Sequence, residues 1–371
     1  MKSNSSSNTY RPNLATSGEK GFSLLELLIA MVIFLIVTAS IYGLMQLGSL
    51  DRNRASRRSD ALKNARVAVH VIGRDVLNAG LGYHRRGALV PDNLISTRLA
   101  LPLAADSSRD LLTSILAGNN LNTNVLNPDT NARTDTIAFA YRDVDFNAGS
   151  TITLQGSAAA SGSPTVTRLT ASTATGAAAA QPFDLFLIES DKTQSAVMAT
   201  AVNGSNTIDA APGDPLGLNQ ALDGTGIDGT LLRICSSSAD TNCMTYPATA
   251  KRVFVVSYKV KYDGTLVRIV YGNNRGAAAS AQIQEYPMAY NVEDFQIRYV
   301  LDDGSLSDNP SVGADGIVGT LDDDWQGFNR IRQLTVKITV QATEIDEKTN
   351  KPEMITFSST FSTRNLGYDA G

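Results

Sequence analysis

The chain has 371 residues, 43 % of them hydrophobic and 18 % charged, with 32 Lys and Arg against 36 Asp and Glu. This is folding-competent material, long enough for one large domain or two small ones and too apolar for a disordered tail. The net charge of −4 argues against nucleic acid as the main partner, and two His with two Cys exclude zinc sites built on Cys/His clusters.

Residues 1–21 are polar, with Lys2, Arg11 and Lys20 against Glu19. Leu27 to Leu50 then form 24 residues without a charge. As a helix this run reaches roughly 36 Å, enough to span a bilayer core of about 30 Å. Basic residues ahead of it hold this end in the cytoplasm, so the remainder is expected to be exported. Two ordinary readings are a secretory signal cut before Ser40, after Val37-Thr38-Ala39, and a plain membrane anchor. Neither accounts for Glu26, a carboxylate at the membrane end of an apolar helix, where lipid offers no partner.

The junction Lys20-Gly21-Phe22-Ser23-Leu24-Leu25-Glu26 resembles the type IV prepilin signature. Gly stands before the cut, Phe after it, and Glu at the fifth mature position. The resemblance implies that a prepilin peptidase cleaves between Gly21 and Phe22 and methylates the new amine of Phe22. Residues 1–21 are then a leader, and residues 22–50 stay in the mature protein as a transmembrane and polymerisation helix. Under this reading the Glu26 carboxylate meets the amine of a neighbouring subunit, each group satisfying the other's buried charge. The bland alternative is a protonated Glu26 that reaches to the membrane interface.

Residues 51–80 continue as an amphipathic stalk. Leu62, Ala65, Val69, Ile72, Val76 and Ala79 recur at spacings of three and four, tracing one apolar stripe. Asp51 to Arg86 holds nine basic and three acidic residues, so the opposite face is basic and is expected to meet neighbouring subunits. Gly80 and Gly82 supply the helix stop.

From there the period changes to two. Thr134–Tyr141, Phe183–Ile188 and Leu231–Cys235 are short strand candidates. In VFVVSYKVKY, Phe254, Val256, Tyr258, Val260 and Tyr262 fall on one face, and Asp263-Gly264 predicts a hairpin with a two-residue turn into TLVRIVYG. Val292–Leu301, the alternating Leu334, Val336, Ile338 and Val340, and the Ile355, Phe357, Phe361 set predict three further strands. The expected fold is α+β: a long N-terminal membrane-spanning helix packed on an antiparallel, β-rich pilin-type head over residues 81–371. Within the head, residues 148–180 are rich in Ala, Ser, Thr and Gly and read as a low-complexity, exposed and mobile insertion.

Cys235 and Cys243, this close in an exported protein, are expected to form a disulfide rather than two unlinked thiols. The stretch Asp302–Asp324 holds seven Asp and no Lys or Arg. It reads either as a solvated acidic loop facing a neighbour's basic stalk or as a weak calcium site. In the second case the ligands are Asp315, Asp322 and Asp324, with Gly316 and Gly319 letting the chain fold back. The spacing does not fit the EF-hand loop.

The stalk end RDVLNAGLG, the strand NVEDFQIRY and the closing FSTRNL resemble the PilW family of minor pilins. The J-type minor pseudopilin of type II secretion is similar in its anchor, stalk and head. The resemblance implies a small complex that starts or caps a filament. Its partners are prepilin peptidase, other minor pilins, the major pilin and an inner-membrane assembly platform, and the protein resides in the inner membrane with a periplasmic head before joining the pilus or its tip. A tip adhesin is the alternative from another functional class. No G-x-x-x-x-G-K-[ST], G-x-S-x-G, C-x-x-C or H-E-x-x-H motif is present, so no enzymatic activity is expected.

Overall fold

The computed structural model describes residues 21–103, 108–127, 129, 132–222, 230–241, 243–317, 320–346 and 350–366; the leader up to Lys20 lies outside the described residues. The chain divides into two compact units, residues 1–56 and 57–371.

One helix, α1, runs Leu24–Asn78. Its N-terminal part is apolar all round and exposed, and by length and composition it can cross a membrane. In the second unit the helix becomes one-sided. Ala65, Val69, Ile72, Val76 and Ala79 are buried, and so is Ala68. Burying Val69, Ile72 and Val76 contributes about 1.5–3 kcal/mol each. The helix stops where Gly80 and Gly82 adopt φ values of 79° and 60°, conformations that cost glycine nothing.

The strands of the second unit are β1 (Ala88–Val90), β2 (Asp110–Leu112), β3 (Ile115–Asn122), β4 (Thr134–Arg142), β5 (Ile152–Ala160), β6 (Ser163–Ala171), β7 (Leu185–Glu189), β8 (Gln194–Met198), β9 (Ala201–Asn203) and β10 (Thr207–Ala210). They continue as β11 (Ala248–Val260), β12 (Leu266–Tyr271), β13 (Ile283–Ala289), β14 (Val292–Leu301), β15 (Leu306–Ser307), β16 (Ile331–Asp346) and β17 (Lys351–Ser362). They form two sheets. The smaller has the order β15-β14-β16-β17 and is antiparallel throughout. Its inner face alternates cleanly through Phe295, Ile297, Tyr299, Leu334, Val336 and Ile338, as a sheet covered on one side must. The larger is branched at β11, whose first residues pair with β5 and β7 and whose later ones pair with β4 and β12.

At β4 and β7 the larger sheet is covered on both faces. Leu185 and Leu187 of β7 enter the main core with the stalk stripe, while Phe186 and Ile188 enter a second core with Ile152, Leu154 and Leu169. A strand buried on both faces reads as an unbroken apolar run, which is why Leu185–Ile188 shows no alternation.

Three expectations need correction. Residues 148–180 are exposed only in part. They form the β5–β6 hairpin, and Ile152, Leu154, Leu169, Ala171, Ala177 and Ala180 are buried in the second core, where small side chains pack between strands. Leu231–Cys235 makes no strand, only an isolated bridge from Ile234 to Met244. The β11–β12 connection has three residues between Lys261 and Thr265, with Gly264 at φ 80°, so Tyr262 sits exposed in the turn rather than on the strand face. The head is antiparallel and β-rich as expected, with β1 beside β8 as a parallel neighbour at Leu89 and Ser195.

Candidate functional site

The N-terminal segment is built from the backbone outward. Leu27 N donates to Ser23 O at 3.2 Å, the first bond of α1. Glu26 N donates to Ser23 Oγ at 3.2 Å, and Ser23 N donates to Glu26 Oε2 at 3.0 Å. This is a reciprocal capping box, which satisfies two of the amide hydrogens that every helix start leaves unpaired. Glu26 is thereby turned toward the helix N-terminus, where the macrodipole favours a negative charge, and toward Phe22. Gly21 and Phe22 precede the helix, and Phe22 is exposed. Gly21, Phe22 and Glu26 thus lie together at one end of an apolar helix.

The first part of the apolar segment and its capped start are also what the comparison with known families detects. Residues 16–42 match the model of the prokaryotic N-terminal methylation motif. The N-terminus is prepilin-type. No curated protein and no solved structure matches the chain. The motif with the apolar helix marks a type IV pilin-like or pseudopilin protein, anchored in a membrane and carrying a head domain. It implies processing by prepilin peptidase and assembly into a pilus or secretion-system filament.

A second constellation escaped sequence reading. Asp75 lies on α1 and is fully buried. Its carboxylate accepts from Tyr141 Oη at 3.0 Å, Tyr258 Oη at 2.5 Å and Arg268 Nε at 2.8 Å. Burial, reinforced by the Asp75 charge, pushes both tyrosine hydroxyls well above their ordinary range, so they stay protonated donors. The Arg268 guanidinium, though disfavoured by burial, is held charged by Asp75. The arrangement joins the stalk to β4, β11 and β12 through one carboxylate. Its signal in the sequence was faint: Ala68, Ile72, Asp75 and Ala79 share helical spacing, which places an acid on the buried face.

Cys235 and Cys243 are joined in a disulfide. The enclosed loop is held further by Arg233, which donates to both Asp240 carboxylate oxygens at 2.9 and 3.0 Å. Lys192 Nζ donates to the carbonyls of Ser238 and Asp240 at 2.8 Å each.

In the acidic stretch the charge is met by Arg298 of β14 and by Arg330 just before β16. Arg330 pairs with Asp302 and Asp303 at 3.0 and 2.7 Å, and Arg298 with Asp308 at 3.1 Å. Hydrogen bonds from Ser305, with help from Arg330, hold the Asp303 carboxyl down at about 2. The three proposed calcium ligands are engaged locally. Asp315 Oδ1 accepts from Ile317 N, and Asp322 accepts from Thr320 Oγ1 and Asp315 N. Asp324 caps the short helical turn Trp325–Arg330 by accepting from Gln326 N. Among the described residues no group of three or more His, Cys, Asp or Glu is arranged to hold a metal ion. Gly319 lies outside the described residues.

Proposed function

We propose that this chain is a minor pilin of a type IV pilus, of the PilW kind, acting in the complex that primes or tips the filament. The observation that carries the reading is the methylation motif at residues 16–42, running directly into an apolar helix and followed by a large β-rich unit. Prepilin peptidase cleaves between Gly21 and Phe22 and methylates the Phe22 amine. The head is exported to the periplasm. Glu26, already turned toward the helix start, receives the amine of an adjacent subunit, which removes the cost of two unpaired charges in lipid. Other minor pilins, the major pilin and the assembly platform are its partners. The role is structural, and the force for assembly comes from partner proteins.

Pseudopilins of type II secretion carry the same motif, and a tip adhesin would share the anchor. Deleting the gene and counting surface pili separates these readings. Loss of pili supports the priming role. Normal pili with lost attachment support the adhesin, and normal pili with lost protein secretion support the pseudopilin. Mass spectrometry of the mature N-terminus should find methylated Phe22; an N-terminus at Ser40 would overturn the reading altogether.

A further inference from the structure

Within the second unit, the turns at one end of the sheets form a continuous rim. Tyr262 O accepts from Val125 N at 2.8 Å, Gly264 O accepts from Val292 N at 2.8 Å, and Asn291 O accepts from Gln341 N at 2.8 Å. Gln341 stands opposite Met354 in the β16–β17 register, and Glu353 next to it pairs with Arg58 of α1. The rim therefore runs from the β11–β12 turn to the start of the unit's own helix. Its outward side chains are apolar or aromatic: Tyr262 is 69 % exposed, Val125 59 %, Ile345 57 %, Tyr290 56 % and Met354 42 %. Exposed apolar residues scattered singly need no explanation, but five gathered on one rim do.

We propose that this rim seats in the headgroup region of the membrane that α1 enters. Three observations favour a lipid surface over a protein partner. The apolar run ends at Leu50, and seven residue steps lead from there to Arg57, where the second unit begins. Even fully extended, that connection spans at most about 25 Å, so chain length alone keeps the Arg58 end of the rim near the interface. Tyrosine is also the side chain suited to that depth, with an apolar ring and a polar hydroxyl. Finally, two cations that flank the rim are paired internally, Lys261 with Glu285 at 3.0 Å and Arg58 with Glu353. With these two cations paired, the rim offers the headgroups mainly rings and aliphatic groups, beside the exposed Asp263 of the β11–β12 turn. The turns that carry them are also fixed, because Asn124 Nδ2 donates to Glu293 O and Gln341 Nε2 to Leu126 O. The seat holds the head against the membrane until the subunit leaves for a filament, and it does not depend on which filament that is.

The test uses the full chain in nanodiscs of phosphatidylethanolamine and phosphatidylglycerol, one copy per disc, with a nitroxide on a fraction of the headgroups. Single cysteines replace Tyr262, Tyr290 and Ser305 in turn and carry a fluorophore; the native disulfide leaves no competing thiol. Ser305 lies beyond the far end of β14, whose ten residues place it about 33 Å away. Quenching at 262 and 290 should be several-fold stronger than at 305. With the label moved to Val125→Cys, adding Tyr262→Ser and Tyr290→Ser should lower quenching to the level at 305 while the unfolding transition is unchanged. Equal quenching at all three positions overturns the proposal. Protection from water that appears only when several copies share a disc also overturns it, and assigns the rim to a second copy.

Discussion

Asp75→Ala is the substitution with the most to reveal about how the stalk is held. The carboxylate is fully buried and takes three hydrogen bonds, from Tyr141, Tyr258 and Arg268. Truncation leaves the Arg268 guanidinium, itself mostly buried, without its counter-charge, and leaves two buried hydroxyls without an acceptor. Breaking a buried pair in this way costs about 3–5 kcal/mol. For a unit of roughly 300 residues this corresponds to a fall in Tm of about 5–8 °C. The full chain in detergent, unfolded in urea and followed by the fluorescence of Trp325, which is stacked on Phe328, gives the measurement. Adding Arg268→Met to Asp75→Ala should recover part of the loss, because the stranded charge is removed. A loss below about 1 kcal/mol for Asp75→Ala, or full additivity with Arg268→Met, would refute the claim that one carboxylate locks the helix to the sheet.

The Asp135 carboxyl, buried between β4 and β14 where it accepts from Ile297 N and Asn120 N, is pushed up to about 7 by burial. The folded state keeps a proton there that the unfolded chain sheds near pH 4. This contribution is therefore complete below pH 4 and is lost as pH rises toward 7, at up to about 1.4 kcal/mol per pH unit. Asp135→Asn should flatten the urea midpoint between pH 4.5 and 7.5, and an unchanged slope would assign the dependence elsewhere. Gly73 faces the ring of Phe361, so a methyl group there collides with it. Gly73→Ala should cost about 1–3 kcal/mol by overpacking, with relief in Gly73→Ala/Phe361→Leu, both read from thermal unfolding. Replacing Cys235 and Cys243 by Ala opens a loop of about nine residues and should cost roughly 2.5 kcal/mol in the chain-entropy model, measured by the same unfolding. Two titratable thiols in the folded wild-type chain would show the bridge absent.

The readings that the sequence carried alone are those in which one physical requirement acts locally. A run of 24 uncharged residues can only be a span or a buried helix, and the stripe from Ala65 to Ala79 repeats at the period of a helix. The strands β14 and β16 were legible because each is covered on one face, and alternation is the direct imprint of that environment. The Gly21–Glu26 junction was read from its resemblance to the prepilin signature, which needs only contiguous residues. What depended on partners distant in sequence was not. Residues 148–180 look too small and polar to pack, yet Ile152, Leu154, Leu169, Ala171, Ala177 and Ala180 are buried because β11 and the second core supply the other walls. Asp75 looks like one more charge on a basic stalk until Tyr141, Tyr258 and Arg268 arrive from 66 to 193 residues away. The exposed rim of Val125, Tyr262 and Tyr290 exists only because three separate turns end at the same edge. Local periodicity records which faces of an element are covered, whereas the identity of the covering residue is set by the closure of the whole chain.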